Sequence, residues 1–369
     1  MGLSGGFGIS SGRAVRGSCA NGKGSFGTMS SARELNEPAP PDANGAIRPT
    51  KARAAVWAIV RLAVGIALLV YLANSRLIQF GELTKLFTAW PITLAALALV
   101  FLDIFFMSVR LCWLFRPQGL RLPLSRSLDL TLVSSFFATF LPGAAGGDLA
   151  KLFYAAKENK GRRAEIVTII AFDRAVGLFS ILLLPLIFAP LFVPLIRSVP
   201  ALRVLLALTA ALAFAMLGVF LLCLLNQSWM IRAAKGISRV LPVRQLPERV
   251  VASIAAYRGR WELLLAALVA SLASNLTLIA ATALAIFLIS PGSLSLKLCL
   301  VVPMGDVANS LPLTPGGLGV GEAAFGALFG IAGLQGGAEA LLCWRIWRAM
   351  VGLAGLAIYL RGMRRAVFS

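Results

Sequence analysis

The sequence predicts an all-α polytopic membrane protein with about six to eight transmembrane helices and two re-entrant broken-helix hairpins in an inverted repeat. Three observations predict it. The chain is 59% hydrophobic with mean hydropathy +0.85, and several of its runs exceed the roughly 18 apolar residues that span a bilayer. Its 35 Lys and Arg outnumber its 15 Asp and Glu, and the excess lies between the apolar runs, as it does where basic loops are held in the cytoplasm. One pattern, Leu-Pro, three residues, Gly-Gly, occurs twice. It reads Leu141-Pro142-Gly143-Ala144-Ala145-Gly146-Gly147 before Asp148, and Leu311-Pro312-Leu313-Thr314-Pro315-Gly316-Gly317 five positions before Glu322.

Proline removes a backbone donor and glycine loosens a helix. Inside a bilayer, freed backbone groups are tolerated only where they are buried in protein or line a wet cavity. Two such breaks in corresponding halves point to a transporter-like site. A second echo supports the duplication. Asp173-Arg174-Ala175-Val176-Gly177-Leu178 follows the first break, and Trp347-Arg348-Ala349-Met350-Val351-Gly352-Leu353 follows the second. On this register Arg174 and Arg348 occupy matching positions.

In chain order, residues 1–53 are rich in Gly, Ser, Pro and Arg and read as a disordered cytoplasmic tail without the apolar region of a signal peptide. Met29 offers an alternative start. Residues 54–73 form a first span interrupted by Arg61, and residues 90–109 a second holding Asp103. Arg110, Arg116, Arg121 and Arg126 follow as a cytoplasmic loop by the charge rule. Residues 128–142 are too short to cross, and both flanks are basic, so they read as re-entrant from the cytoplasm. Residues 165–193 span outward and 201–225 inward. Residues 226–261 carry Arg232, Lys235, Arg239, Arg244, Arg249, Arg258 and Arg260, a cytoplasmic loop with an interfacial helix on anionic lipid. Residues 262–289 span outward, 297–334 read as re-entrant from the outer side, and 338–360 span inward. The basic tail 361–369 places both termini in the cytoplasm of a bacterial inner membrane. Repeat one covers about 90–225 and repeat two about 262–360. The same parity arises if both short segments cross, which gives eight spans.

The absence of His removes imidazole chemistry, and Cys19, Cys112, Cys223, Cys299 and Cys343 show no metal or disulfide spacing. No cofactor, no metal and no nucleic-acid partner are expected. A charge at the bilayer centre costs about 3 kcal/mol, so the intramembrane ions are expected to pair: Asp173 or Asp148 with Arg174, and Glu322 or Asp306 with Arg345 or Arg348. Phosphate can replace a carboxylate as the partner of Arg. A half-helix beginning after each Gly-Gly directs N–H groups and a positive dipole end into the cavity. The expected anion site comprises Arg174, Arg348, Lys151 near the cytoplasmic mouth, Gly146, Gly147, Gly316 and Gly317. Asp148, Asp173, Asp306, Glu322 and Arg345 are its supporting charges. The plainer role for the glycine pairs is close helix packing.

The stretches SSFFATFLPGAAGGDLAKLFYAAK, AFDRAVGLFSILLL and VANSLPLTPGGLGVGEAAFGALFG resemble the transmembrane region of the lysylphosphatidylglycerol synthase family, the flippase-like domain proteins, over about residues 54–360. The resemblance implies a membrane domain that moves lipids between leaflets, with aminoacyl transfer left to a separate cytoplasmic domain. No such domain is expected in residues 361–369, and Lys151 stands where a family Arg role would fall. The expected function is therefore non-enzymatic binding and translocation of an anionic or phosphate-bearing lipid. The alternatives are a membrane-embedded transferase acting on a lipid or polyprenyl phosphate, and a non-catalytic partner of a separate synthase. A homo-oligomer is a further expectation.

Overall fold

A computed structural model of the chain describes residues 88–140, 146–159, 161–225, 246–310, 314 and 317–367. The expected first span 54–73, the tail 1–53 and Gly316 lie outside them. The described residues are helical, with no strand among them. In order they form α1 (Trp90–Phe115), α2 (Leu124–Phe140), α3 (Gly146–Glu158), α4 (Arg163–Phe188), α5 (Val193–Ser198) and α6 (Pro200–Leu225). There follow α7 (Leu246–Ala255), α8 (Trp261–Ile289), α9 (Leu298–Asn309), α10 (Val320–Ile331) and α11 (Gly337–Val367). Five segments are long and apolar enough to cross a membrane: Trp90–Gln118, Arg163–Ser198, Pro200–Leu225, Trp261–Ile289 and Gly337–Leu360. The protein is a polytopic membrane protein.

The closest pair is α1 with α8, and the sequence of α8 explains it. Leu264, Ala267, Ser271, Ser274, Leu278, Ala281 and Ala285 are buried at alternating steps of three and four. That spacing makes one narrow face of mostly small side chains, which lets two helix axes approach. The α1 residues Ala96, Val100 and Ile104 join one apolar cluster, and Leu111, Leu114 and Phe115 join another. Asp103, Ser108 and Arg110 are buried around the boundary. On α8, Ser271 and Ser274 separate Ala267 of one cluster from Leu278 of the other. A polar layer thus sits between two apolar layers.

The two broken segments are hairpins. The 17 residues of α2 extend about 25 Å, and the 12 of α9 about 18 Å, both short of the roughly 30 Å hydrocarbon core. Arg126, at the start of α2, pairs with Glu158 at the end of α3, so both ends of that hairpin share one end of the bundle. The Arg162 guanidinium, just past α3, donates to the Gln118 carbonyl at 2.7 Å, at the close of α1. In the second hairpin, Lys297 Nζ before α9 donates to the Ala332 carbonyl after α10 at 2.9 Å. Gln335 N–H donates to Ser293 Oγ at 2.9 Å, just past α8. Because α1 and α8 run antiparallel, the hairpins enter from opposite ends.

The packing partners also correspond. Helix α2 packs on α3 and α11, while α9 packs on α10 and α4. Helix α3 packs on α4, and α10 on α11. By contrast α6 is peripheral. It buries only Leu202, Thr209, Ala213 and Leu224 and exposes Leu208, Leu212, Phe214 and Val219, the apolar surface a helix turns toward lipid.

Some details differ from the sequence reading. Helix α1 continues to Phe115, which draws Arg110 out of the expected loop and into the bundle, 5% exposed. Apolar residues flank Arg110 on both sides, Met107 and Val109 before it and Leu111 and Trp113 after it, so helix continuity overrides the charge rule there. Within 226–261, the residues 246–255 form α7, which packs on α4. Residues 226–245 lie outside the described set.

Candidate functional site

Where the two breaks approach each other lies a cavity of about 530 Å³. Ala138, Gly147 and Asp148 line it from the first break, and Asn309, Ser310 and Leu318 from the second. Five cations (Arg110, Lys151, Arg174, Arg345 and Arg348) and four carboxylates (Asp103, Asp148, Asp173 and Asp306) complete its charged lining. Burying so many ions requires pairing, and the pairs bind distant helices together.

The densest group centres on Asp173 of α4, which is 2% exposed. Arg110 Nε donates to its Oδ1 at 2.7 Å and Lys151 Nζ to its Oδ2 at 3.3 Å. Arg110 also donates to Ser271 Oγ of α8 at 2.9 Å. One carboxylate therefore ties α1, α3 and α4 together, with α8 held through Arg110. Lys151 was expected near an open mouth; at 2% exposure it is instead wrapped into this group. Asp173 or Asp148 was expected beside Arg174; adjacent residues of a helix point about 100° apart, and it is Asp148 that Arg174 meets. That pair joins α4 to the first turn of α3, and the Arg174 side chain stays 47% exposed.

The second break has a corresponding pair. Glu322 lies in the first turn of α10 and is fully buried. Arg345 Nε of α11 lies 2.8 Å from its Oε1. Arg345 thus pairs with the acid of the helix after the second break as Arg174 does after the first, whereas Arg348, which the sequence register matched to Arg174, does not pair there. Arg348 lies one turn further along α11 and donates to Asp103 of α1 at 3.1 Å. Its guanidinium sits 4.9 Å from the Trp344 ring centroid, a cation–π contact. Ser274 Oγ of α8 donates to the other oxygen of Asp103. Asp103 lies 245 residues from Arg348, a partnership that no local motif announces.

The glycines serve two purposes. Helix α3 begins at Gly146, and both Gly146 and Gly147 are buried. A Cβ on Gly147 would stand 2.6 Å from the Ser134 carbonyl oxygen and 2.8 Å from its hydroxyl. That glycine lets α3 close against α2 while still lining the cavity. At the second break the helix does not start immediately after the glycine pair. Gly317 holds φ 72° and Gly319 φ 80°, left-handed values that disfavour other residues, and α10 starts at Val320. The Glu322 carboxylate accepts from Gly319 N–H at 2.6 Å. On this side, of the N–H groups expected to face the cavity, that of Gly319 is taken by Glu322. A Cβ on Gly317 or Gly321 would meet Asn309 at 2.6 or 2.5 Å, so these glycines admit Asn309 to the centre of the site.

Sequence reasoning missed Arg110 and Asn309 as site residues and singled out Asp103 only as a charge within a span, without a role. The signal for Asp103 and Arg110 was their place in one continuous apolar run; Asn309 gave none beyond its position two residues before the break. Chemically, the arrangement is a polar cavity with guanidinium groups presented from two sides. A family model described as "Lysylphosphatidylglycerol synthase TM region" matches residues 58–360. No curated protein and no solved structure matches the chain.

Proposed function

The chain belongs to the lysylphosphatidylglycerol synthase transmembrane-region family, and on that premise we propose that it binds a phosphate-bearing or anionic membrane lipid and translocates it between leaflets. One observation carries the reading: both helix breaks, entering from opposite ends, line a single cavity with Arg174 on one side and Arg345 and Arg348 on the other. Guanidinium groups engage phosphate through two parallel donors, and a carboxylate partner can yield to a phosphate of like charge. Arg174 is the cation nearest to that exchange, being half-exposed while its partner Asp148 sits at the helix end. The two hairpins and the corresponding packing of α2 and α9 belong to an inverted repeat in this reading. Rocking of one half against the other would switch access, as in transporters built from such repeats.

The exposed Arg121, Arg126, Lys157, Arg163, Arg258 and Arg260 share the end at which the first hairpin opens. By the positive-inside rule this is the cytoplasmic face of a bacterial inner membrane, with both termini on the same side. In this reading the protein performs no covalent chemistry.

The test is leaflet movement of head-group-labelled phosphatidylglycerol in vesicles holding the purified protein. Movement above protein-free vesicles, with the label recovered on unchanged lipid, supports the proposal. Covalent change of the lipid would favour a transferase. Absence of movement unless a synthase is added would favour a partner subunit.

A further inference from the structure

Among the carboxylates lining the cavity, Asp306 stands apart. Asp103, Asp148 and Asp173 each hold a salt bridge. Asp306 forms none among the described residues; its side-chain partner is the Asn309 amide, which donates to Oδ1 at 3.0 Å. The other end of that amide is fixed. Asn309 Oδ1 accepts from Arg345 at 2.6 Å, and an arginine can only donate, so the NH₂ group must face Asp306. A continuous chain therefore runs from Asp306 through Asn309 and Arg345 to Glu322 at the start of α10.

The charged groups around Asp306 come from several elements. Arg348 and Arg345 of α11 and Asp103 of α1 act on it electrostatically. Of the helices packed on α9, α4 brings Asp173 and Arg174 to the same cavity, and α10 brings Glu322, already engaged by Arg345. Helix α8 contributes Ser274 and Asn275, neither of which titrates. The other carboxylates of the cavity each have a cation in contact, whereas Asp306 has none among the described residues. Among the described residues no donor reaches its second oxygen, so that oxygen can carry a proton without breaking the Asn309 bond.

We propose that Asp306 is a proton-binding site coupled to occupancy of the cavity. This rests on the phosphate-binding reading above. When a phosphate arrives beside Arg345 and Arg348, a second negative charge faces Asp306 and favours its protonated form. An O–H bond forms on the carboxylate with a proton taken up from the aqueous solution through the cavity, and the proton returns to solution when the head group departs. The proton offsets one charge of the head group at the centre of the membrane, where uncompensated charge costs most. By linkage, proton and phosphate each raise the affinity for the other by the same factor.

The experiment measures binding of short-chain phosphatidylglycerol to the detergent-solubilised protein between about pH 5 and pH 8, for the wild type and Asp306→Asn. The wild type should lose about tenfold in affinity as pH rises, and D306N should hold the low-pH affinity throughout. Proton uptake by the wild type on adding the lipid, read with an indicator in weak buffer, should approach one per lipid bound and does not depend on the variant folding. Saturable wild-type binding that is flat in pH and takes up no proton would overturn the coupling alone. A pH slope that survives in D306N would assign it to another group. No saturable binding at any pH would remove the phosphate site and this proposal together.

Discussion

Arg345 of α11 and Glu322 of α10 approach to 2.8 Å, and Glu322 has no exposed surface. Glu322 also accepts from Gly319 N–H, so one carboxylate both caps the helix after the second break and anchors it to the next span. Breaking a buried pair by removing one partner costs about 3–5 kcal/mol. Glu322→Ala should therefore lower thermal stability in detergent by that order, and Glu322→Gln, which keeps an acceptor for Gly319, by less. Equal stability of both variants and the wild type would show that the pair does not hold the hairpin.

Asp173 should be at least as sensitive. It neutralises Arg110 and Lys151 together, and Asp173→Asn would leave two buried cations without a counter-charge. Loss of about 3–5 kcal/mol, or failure to accumulate, is expected. Lys151→Met removes one of those cations and should partly restore the stability of the Asp173→Asn variant.

Gly147 and Gly355 test close backbone approach. A Cβ at Gly147 would meet Ser134 at 2.6 Å, and one at Gly355 would meet the Leu132 carbonyl oxygen at 2.2 Å. Both neighbours are backbone atoms of α2, which must move as a unit. Overpacking of this kind costs typically about 1–3 kcal/mol. Gly147→Ala and Gly355→Ala should each destabilise by about that amount, and Gly147→Leu should also abolish leaflet movement while the protein still inserts. Normal movement in Gly147→Leu would reduce that glycine to a packing feature.

The orientation is checked with single cysteines in a cysteine-free background. Ser238→Cys, in the basic segment between α6 and α7, should resist a membrane-impermeant thiol reagent in intact cells, whereas Arg197→Cys, at the opposite end, should react. The reverse pattern would invert the topology.

Much of this was legible in the sequence because membrane burial imposes length and charge rules. The spans expected at 201–225 and 262–289 fall within one residue of Pro200–Leu225 and Trp261–Ile289. The two breaks were visible because proline and paired glycine are costly in apolar chain. Two of the expected ion-pair choices, Asp148 with Arg174 and Glu322 with Arg345, occur. What escaped was set by helix phase and by contacts between distant segments. Asp173 and Arg174 are neighbours in sequence but face different partners. Glu322 pairs with Arg345, while Arg348, one turn further along α11, turns to Asp103. Asp103 finds Arg348 only once α1 and α11 are packed side by side.

The central claim is that the arginines on the two sides of the cavity hold a lipid phosphate. The most direct measurement is the amount of phosphate-bearing lipid retained per protein in native mass spectra of the wild type, Arg174→Lys and Arg348→Lys, beside their thermal stability. Lysine keeps the charge and its carboxylate partner but loses the planar two-donor fork. Phosphate-bearing lipid should be retained on the wild type and several-fold less on each Lys variant, at near-unchanged stability. Wild-type lipid retention in both Lys variants would contradict it and leave Arg174 and Arg348 as scaffold.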